Sequence, residues 1–363
     1  MKGFKLSLLI QAIFCFMVLT ACSSQSSNSS NSSNSNGSDP TKDNPIVFKT
    51  TIQTPQVASM SKGFDAYLDA IEEKSEGKIK FERYYSESLV KSADVVDALS
   101  AGIADIGIII PALAQSKIPL NTFGNVPAIF ENSWPGARAA YDLYEQMPQL
   151  NEELEKHGII FAGSLGVPST YVFTKDPING VEDLKGQKLI AQGDHGIIAK
   201  ELGAAPVSIP STEAFEALQR GTADGILFNL TMVTTYNIEQ VASHLYKLPI
   251  GGVDLLIGMN SNKFNALPDN LKLIFKEVAK PHADDFHQIY QVEGDKIALS
   301  KIEQANGSVT ETKAEDVEKL KEIAQNIIWK SWVEKSGADA QEVLNKYIEL
   351  SEKYERENPY KEE

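Results

Sequence analysis

Histidine and cysteine, the side chains that most often bind metals or act as nucleophiles, are few in this chain. The two cysteines, Cys15 and Cys22, both stand near the N-terminus. The rest of the chain therefore has no thiol for a disulfide, a zinc site, an iron–sulfur cluster or a nucleophile. The histidines show no metal-ligand spacing; they are His157, His195, His244, His282 and His287. Because His282 and His287 lie five residues apart on a predicted helix, they do not share a face, and we interpret them as solvated.

The sequence motifs of common enzyme classes are also missing. The chain has no Gly-x-Gly-x-x-Gly run, no P-loop and no Gly-x-Ser-x-Gly elbow. Without a cofactor motif, a metal-ligand set or a nucleophile, we predict no cofactor and no catalysis. An enzyme is kept as an alternative, because a fold does not fix a function.

The charge balance limits the possible partners. The chain has 34 Lys and Arg against 49 Asp and Glu, a formal net charge of −15. Binding to phosphate backbones needs clustered Lys and Arg, and no basic run occurs beyond the N-terminal lysines. We therefore expect no nucleic-acid partner. The 363 residues, 42% of them hydrophobic, are enough for two domains with apolar cores.

The N-terminus has the pattern of a targeting segment. Two lysines precede an apolar stretch over residues 6–21, which is shorter than the roughly 20 residues needed to cross a bilayer. The stretch ends in Leu19-Thr20-Ala21-Cys22, similar to a bacterial lipobox. We predict a signal peptide over residues 1–21, cleavage before Cys22 and a diacylglycerol on the Cys22 thiol. An ordinary signal peptide is the alternative.

Residues 22–43 form a predicted tether. Positions 23–39 are almost all Ser and Asn, and such a segment has no apolar surface to offset the entropy of ordering. We predict that this disordered segment joins the lipidated cysteine to a folded part that starts near Asn44. The protein would then be extracytoplasmic and anchored to the outer face of the cytoplasmic membrane, in the periplasm or at the cell surface.

Helix and strand patterns alternate along the folded part, which indicates an α/β architecture. The run from Ile106 to Ile110 is apolar on both faces, as in an interior parallel strand. A later cycle of strands covers residues 188–191, 206–209 and 225–228. Ser211 is predicted to cap the helix between the last two of these strands. Residues from about Leu271 onward have mainly helical periodicity.

Several short motifs follow one another along the chain. They are Ser86-Glu87-Ser88-Leu89, Ala101-Gly102-Ile103-Ala104-Asp105-Ile106, Asn125-Val126-Pro127-Ala128-Ile129-Phe130, Asp183-Leu184-Lys185-Gly186, Leu202-Gly203-Ala204-Ala205-Pro206, Ala217-Leu218-Gln219-Arg220-Gly221 and Ala223-Asp224-Gly225. In this order and spacing, from about Val47 to Trp332, the chain resembles solute-binding proteins of tripartite ATP-independent periplasmic (TRAP) transporters, of the dicarboxylate-binding type. Each motif alone is weak, and their collinearity carries the resemblance.

The resemblance implies a two-lobed α/β receptor with the type II periplasmic-binding-protein-like fold. Hinge segments would join the lobes, the ligand would be enclosed between them, and a long C-terminal helix would run across both. We expect the first lobe and the shared long helix over residues 44–168 and about 255–300. The second lobe and the C-terminal helices are expected over residues 169–254 and about 301–363.

The implied partners are a small organic solute and the TRAP membrane subunits. A binding protein that delivers to an ATP-driven importer would share the tether, the lobes and the cleft. The ligand sensor of a signalling receptor would share them as well. Both are kept as alternatives to the TRAP receptor.

The chain departs from the family pattern where a ligand carboxylate is usually held. The resemblance implies an Arg on the strand after the Leu-Lys-Gly motif, and the matching position is Ile190. A second position that carries Arg in some members is Thr170. The family's Asn falls on Phe228, with Asn229 one residue later, and an acidic position is Ile110.

These substitutions remove charge or polarity from the expected cleft. An unpaired carboxylate buried against apolar walls costs on the order of several kcal/mol. We therefore expect a ligand that lacks a carboxylate in the usual place, or one that is neutral and partly apolar. In the alternative, Lys62 or Arg83 has taken over the role of the missing Arg.

Candidate pocket residues follow from the strand ends that face the expected cleft. Polar contacts are expected from four side chains: Thr170, Tyr171, Gln192 and Asn229. Apolar walls are expected from Ile110, Phe130, Ile190 and Phe228. Ordinary packing is the alternative for each of the eight. His195, in the turn over residues 193–196, is either a ligand contact or a turn residue.

Overall fold

A computed structural model describes residues 39–360. The predicted signal peptide over residues 1–21, the lipidated Cys22 and most of the tether lie outside the described residues. One compact unit begins at Pro40. Near its start, the backbones of Thr41 and Asn44 exchange two hydrogen bonds of 3.2 and 3.1 Å.

The strands of the described residues form one mixed sheet. They are β1 (Ile46–Thr51), β2 (Ile79–Tyr84), β3 (Ile106–Ile109), β4 (Ile159–Thr174), β5 (Lys188–Ile190), β6 (Ala205–Val207), β7 (Gly225–Phe228), β8 (His244–Asn260) and β9 (Val309–Thr310). Their order across the sheet is β2-β1-β3-β8-β4-β7-β5-β6, and β9 pairs with β8.

Helices cover both faces of this sheet. They are α1 (Ser59–Lys74), α2 (Val95–Ser100), α3 (Pro111–Ala114), α4 (Ser133–Gln146), α5 (Pro148–Glu155), α6 (Gly193–Glu201), α7 (Ala214–Gln219), α8 (Leu230–Thr235), α9 (Ser261–Asn265), α10 (Asp269–Ala279), α11 (His282–Phe286), α12 (Glu293–Gln304), α13 (Ala314–Ile323), α14 (Lys330–Ser336) and α15 (Ala340–Glu357). The π-helical segments His287–Val292 and Ala324–Trp329 join α11 to α12 and α13 to α14. The expected α/β class is confirmed.

The sheet has two parallel parts separated by an antiparallel pair. Strand β1 is parallel to β2 and β3, and β5 is parallel to β6 and β7. Between these parts, β4 and β8 run antiparallel to each other over almost their whole length. Their register shifts three times, twice between Val167 and Val172. Such irregularities bend and twist a strand pair, and these two lie where the pair passes from one parallel part to the other.

The buried side chains form four apolar clusters, two around each parallel part of the sheet. One first-lobe cluster contains Leu143 and Tyr347, and the other contains Phe64 and Ile257. Of the second-lobe clusters, one is built around Leu189 and the other around Phe173, with Ile198 and Leu218 among their further members. Each lobe therefore has its own core, and the two-lobed fold implied by the resemblance is confirmed.

Two helical segments pass from one lobe to the other. In the α11–α12 segment, Phe286 packs in the first lobe and Ile302 packs in the second. In the α13–α14 segment, Leu320 packs in the second lobe and Trp332 in the first. The last helix, α15, then packs against α4. Together with β4 and β8, these helices make four connections between the lobes.

Two local expectations are wrong. Ser211 does not cap a helix; it opens a single 3₁₀ turn, Ser211–Glu213, that precedes α7, and its side chain makes no capping hydrogen bond. His282 and His287 are not solvated, since both are buried, 2% and 3% exposed. They are buried because their helix is covered by α1 and α4 on the first lobe, which a helical pattern read alone does not show.

Candidate functional site

The strand register brings the carboxyl ends of both parallel parts to the middle of the β4–β8 pair. Ile109, at the end of β3, pairs with Leu256 of β8. Phe228, at the end of β7, pairs with Tyr171 of β4. Ligands of open α/β sheets bind at the carboxyl ends of parallel strands. The junction of the two lobes is therefore the candidate ligand site.

Three predicted site residues come together on the second lobe. Tyr171, Ile190 and Phe228 belong to one apolar cluster. Tyr171 and Ile190 are buried, whereas Phe228 is half-buried, with its ring centroid 5.9 Å from that of Tyr236. These side chains form an apolar surface at the ends of β5 and β7.

The Tyr171 hydroxyl already has a protein partner. It donates a hydrogen bond of 2.9 Å to a carboxylate oxygen of Glu131. Burial, together with the nearby Glu131 charge, raises the pKa of Tyr171 far above its ordinary value. Its proton is therefore held by the protein, and contact of Tyr171 with a ligand stays a prediction.

Asn229 is the N-cap of α8. Its Oδ1 accepts a hydrogen bond of 2.9 Å from the backbone N–H of Met232, and its Nδ2 donates to the Tyr290 hydroxyl at 3.4 Å. A side-chain oxygen at this position satisfies one of the free N–H groups of the first helical turn. The cap explains a polar residue at the end of β7 without a ligand, and a ligand contact stays a prediction.

Gln192 and Thr170 occupy the edges of this surface. Gln192 is exposed, and its Nε2 donates a hydrogen bond of 2.8 Å to the carbonyl of Ile209, which links the segments after β5 and β6. Thr170 is buried and pairs with Gly251 where the β4–β8 register shifts. Thr170 therefore lies in the crossing between the lobes.

Ile110 and Phe130 lie on the first lobe, in different clusters. Ile110 is half-buried and precedes α3. Phe130 is buried, and Cβ atoms added at Gly136 or Gly252 would stand 2.5 or 2.1 Å from its ring. Two glycines that make room for one ring indicate close core packing of Phe130. The structure does not group these two residues with Tyr171, Ile190 and Phe228.

A contact between the lobes was missed by sequence reasoning. The Nδ2 of Asn125, on the first lobe, donates a hydrogen bond of 3.3 Å to a carboxylate oxygen of Asp194, in the first turn of α6. Desolvation raises the pKa of Asp194 and lowers that of the adjacent His195 to about 4. The sequence analysis singled out the Gly-Asp-His-Gly turn over residues 193–196 but did not predict the contact of Asp194 with Asn125.

Arg83 is enclosed by carboxylates. Its guanidinium lies 3.2 Å from Asp65, 2.5 Å from Asp69 and 3.5 Å from Glu72. Lys62, the other cation considered in place of the missing Arg, is exposed on α1, and none of the carboxylates in the described residues lies within ion-pair distance of it. Within residues 39–360, no group of three His, Cys, Asp or Glu could hold a metal ion.

The class that this architecture defines is the two-lobed binding proteins: two separate cores, four connecting segments and strand ends that converge on the junction. The chain belongs to the bacterial extracellular solute-binding protein family 7, whose family model matches residues 52–335. It is therefore a solute-binding protein of the TRAP type, as the resemblance implied. In the part of the chain that the structure describes, no helix is long and apolar enough to cross a membrane.

Relatives with known structures share the fold over almost their full length. The crystal structure of a TRAP periplasmic solute binding protein from Desulfovibrio salexigens superposes with a TM-score of 0.79 at 24% identity, covering 87% of this chain and 99% of that chain. A TRAP solute binding protein from Rhodoferax ferrireducens, in complex with copurified benzoate, gives a TM-score of 0.74 at 20% identity, with 86% and 99% covered.

Among curated proteins, the chain is similar to a solute-binding protein of Albidiferax ferrireducens. The two are 24% identical over 280 residues, 72% of this chain and 78% of the relative. It is also 22% identical over 291 residues to the ectoine-binding periplasmic protein TeaA of Halomonas elongata, covering 78% and 83% of the two chains.

Proposed function

We propose that this receptor is lipid-anchored, catalyses no reaction, and captures a solute without a carboxylate at the family's usual arginine position. The placement of the arginines carries the proposal about the ligand. The chain has four, Arg83, Arg138, Arg220 and Arg356. Arg138 pairs with Asp284 and Arg220 with Glu216, while Arg356 lies in the last turn of α15.

Arg83 is a poor substitute for the missing Arg. Three carboxylates surround it, so a ligand carboxylate would have to displace one of them and would meet the charge of the others. Ile190, at the position implied for the Arg, is 3% exposed inside an apolar cluster. An ionised carboxylate placed there would have no partner to offset its desolvation.

A thermal-shift screen tests the ligand class. The purified protein is heated with carboxylates, neutral compounds and cationic compounds in separate groups, since a ligand of the native state raises the melting temperature. We expect stabilisation by neutral compounds. If a carboxylate stabilises the protein, and Lys62→Ala removes that effect whereas the control Lys156→Ala does not, Lys62 is the replacement cation and the ligand proposal is wrong.

Lipid anchoring is tested on the two cysteines. Cells that express the full chain are labelled with a radioactive fatty acid and fractionated. We expect Cys22→Ala to lose the label and to leave the membrane fraction, because the predicted lipobox ends at that residue. The matched control, Cys15→Ala in the apolar stretch, should keep both. Label on the Cys22→Ala protein would contradict the anchor.

The delivery partner is testable from gene order. A small and a large integral membrane subunit encoded beside the receptor support the TRAP system, whereas a neighbouring ATPase subunit points to an ATP-driven importer. The solved relatives bind varied organic ligands: that from Rhodoferax ferrireducens holds benzoate, and one from Sulfitobacter holds β-D-galacturonate. The proposed ligand differs from both in lacking the carboxylate.

A further inference from the structure

One side-chain hydrogen bond joins elements of different lobes, neither of which is a connecting segment. It runs from the Nδ2 of Asn125 to a carboxylate oxygen of Asp194 over 3.3 Å. Asn125 ends the 3₁₀ turn Leu120–Asn125 of the first lobe, and Asp194 lies in the first turn of α6 on the second lobe. The bond can therefore exist only while these parts of the two lobes are close together.

The first-lobe partner belongs to a firmly packed turn. The rest of the turn is buried, whereas Asn125 is half-buried. The indole N–H of Trp332 donates a hydrogen bond of 2.9 Å to the Thr122 hydroxyl. The indole N–H of Trp329 donates one of 2.9 Å to the carbonyl of Pro127, just after the turn. Both tryptophans belong to the α13–α14 segment, so the turn is attached to a segment that connects the lobes.

The second-lobe partner is an acid that lies near a cation of the first lobe. Desolvation raises the pKa of Asp194, and the positive charge of Lys335 acts in the opposite direction. Lys335 lies in the last turn of α14, which packs in the first lobe through Trp332. A hydrogen bond to an ionised acceptor is stronger than one between neutral groups. The Asp194 carboxylate thus meets an amide donor and a positive charge, both from the other lobe.

We propose that Asn125 and Asp194 form a latch that favours the closed arrangement of the lobes, with Lys335 as an additional attraction. Both partners are protein groups, so the latch acts whichever solute the receptor binds. A bond of this kind changes the ratio of closed to open molecules about fivefold. An effect of that size favours closure without making it permanent, so the receptor can still open to release its solute.

Distances between two spin labels give the ratio of closed to open molecules in the purified protein without added solute. The labels are attached to Lys156→Cys on the first lobe and Thr222→Cys on the second, and Cys15→Ala and Cys22→Ala remove the native thiols. Both labelled positions are exposed and precede β4 and β7, so they lie at the ends of the lobes away from the junction. Closure of the lobes therefore changes the distance between the labels.

Removing either partner should open the protein. We expect Asn125→Ala and Asp194→Ala each to lower the ratio of closed to open molecules about fivefold. The matched control is Asp97→Ala, which removes an acid from the first turn of α2 that pairs with Lys117 within the first lobe. This control should leave the ratio unchanged. Melting temperatures of all three variants should stay close to that of the wild type, because each lobe has its own core.

Exchanging the two side chains separates the bond from other effects of substitution. Asn125→Asp alone places two carboxylates opposite each other, and we expect it to open the protein more than Asn125→Ala does. Asn125→Asp combined with Asp194→Asn restores an amide donor opposite a carboxylate, and most of the closed population should return. Lys335→Ala should lower the ratio by a smaller factor that declines at high salt, since salt screens exposed charges.

Two results would overturn the latch. One is the same distribution of label distances in the wild type, Asn125→Ala and Asp194→Ala. The other is an exchanged variant that stays as open as Asn125→Asp, because the open state would then come from the substitution at position 125 and not from loss of the bond. Neither result bears on the ligand class, which the thermal-shift screen tests separately.

Discussion

Acidification should lower the contribution that one buried histidine, His282, makes to the stability of the fold. Its ring is 2% exposed, lies 5.3 Å from the Tyr67 ring and 6.1 Å from the Phe286 ring, and neither ring nitrogen has a hydrogen-bond partner. Burial lowers the pKa of His282 from 6.5 to about 4. The unfolded chain therefore binds a proton more readily than the folded one between these two pH values.

The sign and size of this effect on the free energy of unfolding follow from the linkage between proton binding and folding. When the folded-state pKa is the lower one, stability falls as the pH drops below the unfolded value of about 6.5. Between pH 7 and pH 5 the loss attributable to His282 is about 2 kcal/mol, at 1.36 kcal/mol per pH unit once the unfolded residue titrates. His287, whose pKa is also lowered by burial, acts in the same direction.

Two buried aspartates act in the opposite direction. Burial raises the pKa of both Asp254 and Asp295 to about 7, so they gain protons in the folded state as the pH falls and favour folding. In the total stability of the wild type, the aspartate contributions therefore offset the histidine contribution. A difference between two variants isolates it, because the aspartates cancel.

The measurement is urea unfolding of wild type and His282→Leu at pH 7 and pH 5. We expect the free energy of unfolding of His282→Leu, relative to wild type, to rise by about 2 kcal/mol on acidification, because leucine has no proton to take up. Phe173→Leu, equally buried but in the second lobe, is the control and should show a difference that does not depend on pH. An unchanged relative stability of His282→Leu would refute the reasoning.

Three further predictions concern packing, capping and charge. Gly252→Ala should destabilise the fold by about 1–3 kcal/mol in urea unfolding, since its Cβ would stand 2.1 Å from the Phe130 ring; an unchanged midpoint would contradict the close packing. Asn229→Ala should cost about 1 kcal/mol through loss of the α8 cap to Met232, with Asn229→Asp retaining most of it; equal loss in both would argue against a cap. Asp254→Asn should flatten the decline in melting temperature between pH 6 and pH 8, because burial raises the Asp254 pKa to about 7; a decline as steep as that of the wild type would disprove it.

The sequence pattern predicted the alternating elements well but not the two strands that cross between the lobes. β7 runs over the predicted residues, Gly225–Phe228. β4 and β8 span 16 and 17 residues, and their glycines and prolines read as turn signals. Gly166 occurs within β4 because a Cβ there would stand 2.0 Å from the Ser133 carbonyl oxygen. This requirement for glycine comes from a contact between segments that are distant in sequence, so no local sequence pattern predicts it.

In the candidate site, too, the sequence predicted which residues are polar but not which residues they bond to. Polar side chains were expected at strand ends that face the cleft; Asn229 follows β7 directly, whereas Tyr171 lies within β4, paired with Phe228. The partner of Tyr171, Glu131, stands 40 residues earlier, and that of Asn229, Tyr290, 61 residues later. A sequence specifies that a buried polar group needs a partner, but only the fold decides whether the partner is protein or ligand.

The partners found in the fold favour selection of the ligand by shape and lack of charge. Tyr171 donates to Glu131, Asn229 caps α8, and Gln192 donates to the Ile209 carbonyl. A polar ligand would have to replace these bonds, and exchanging one hydrogen bond for another contributes only about 1 kcal/mol. Enclosing apolar surface contributes about 25 cal/mol per Å² and breaks none of them. A polar ligand that loses most of its affinity in Tyr171→Phe and in Gln192→Ala would show that this reasoning is wrong.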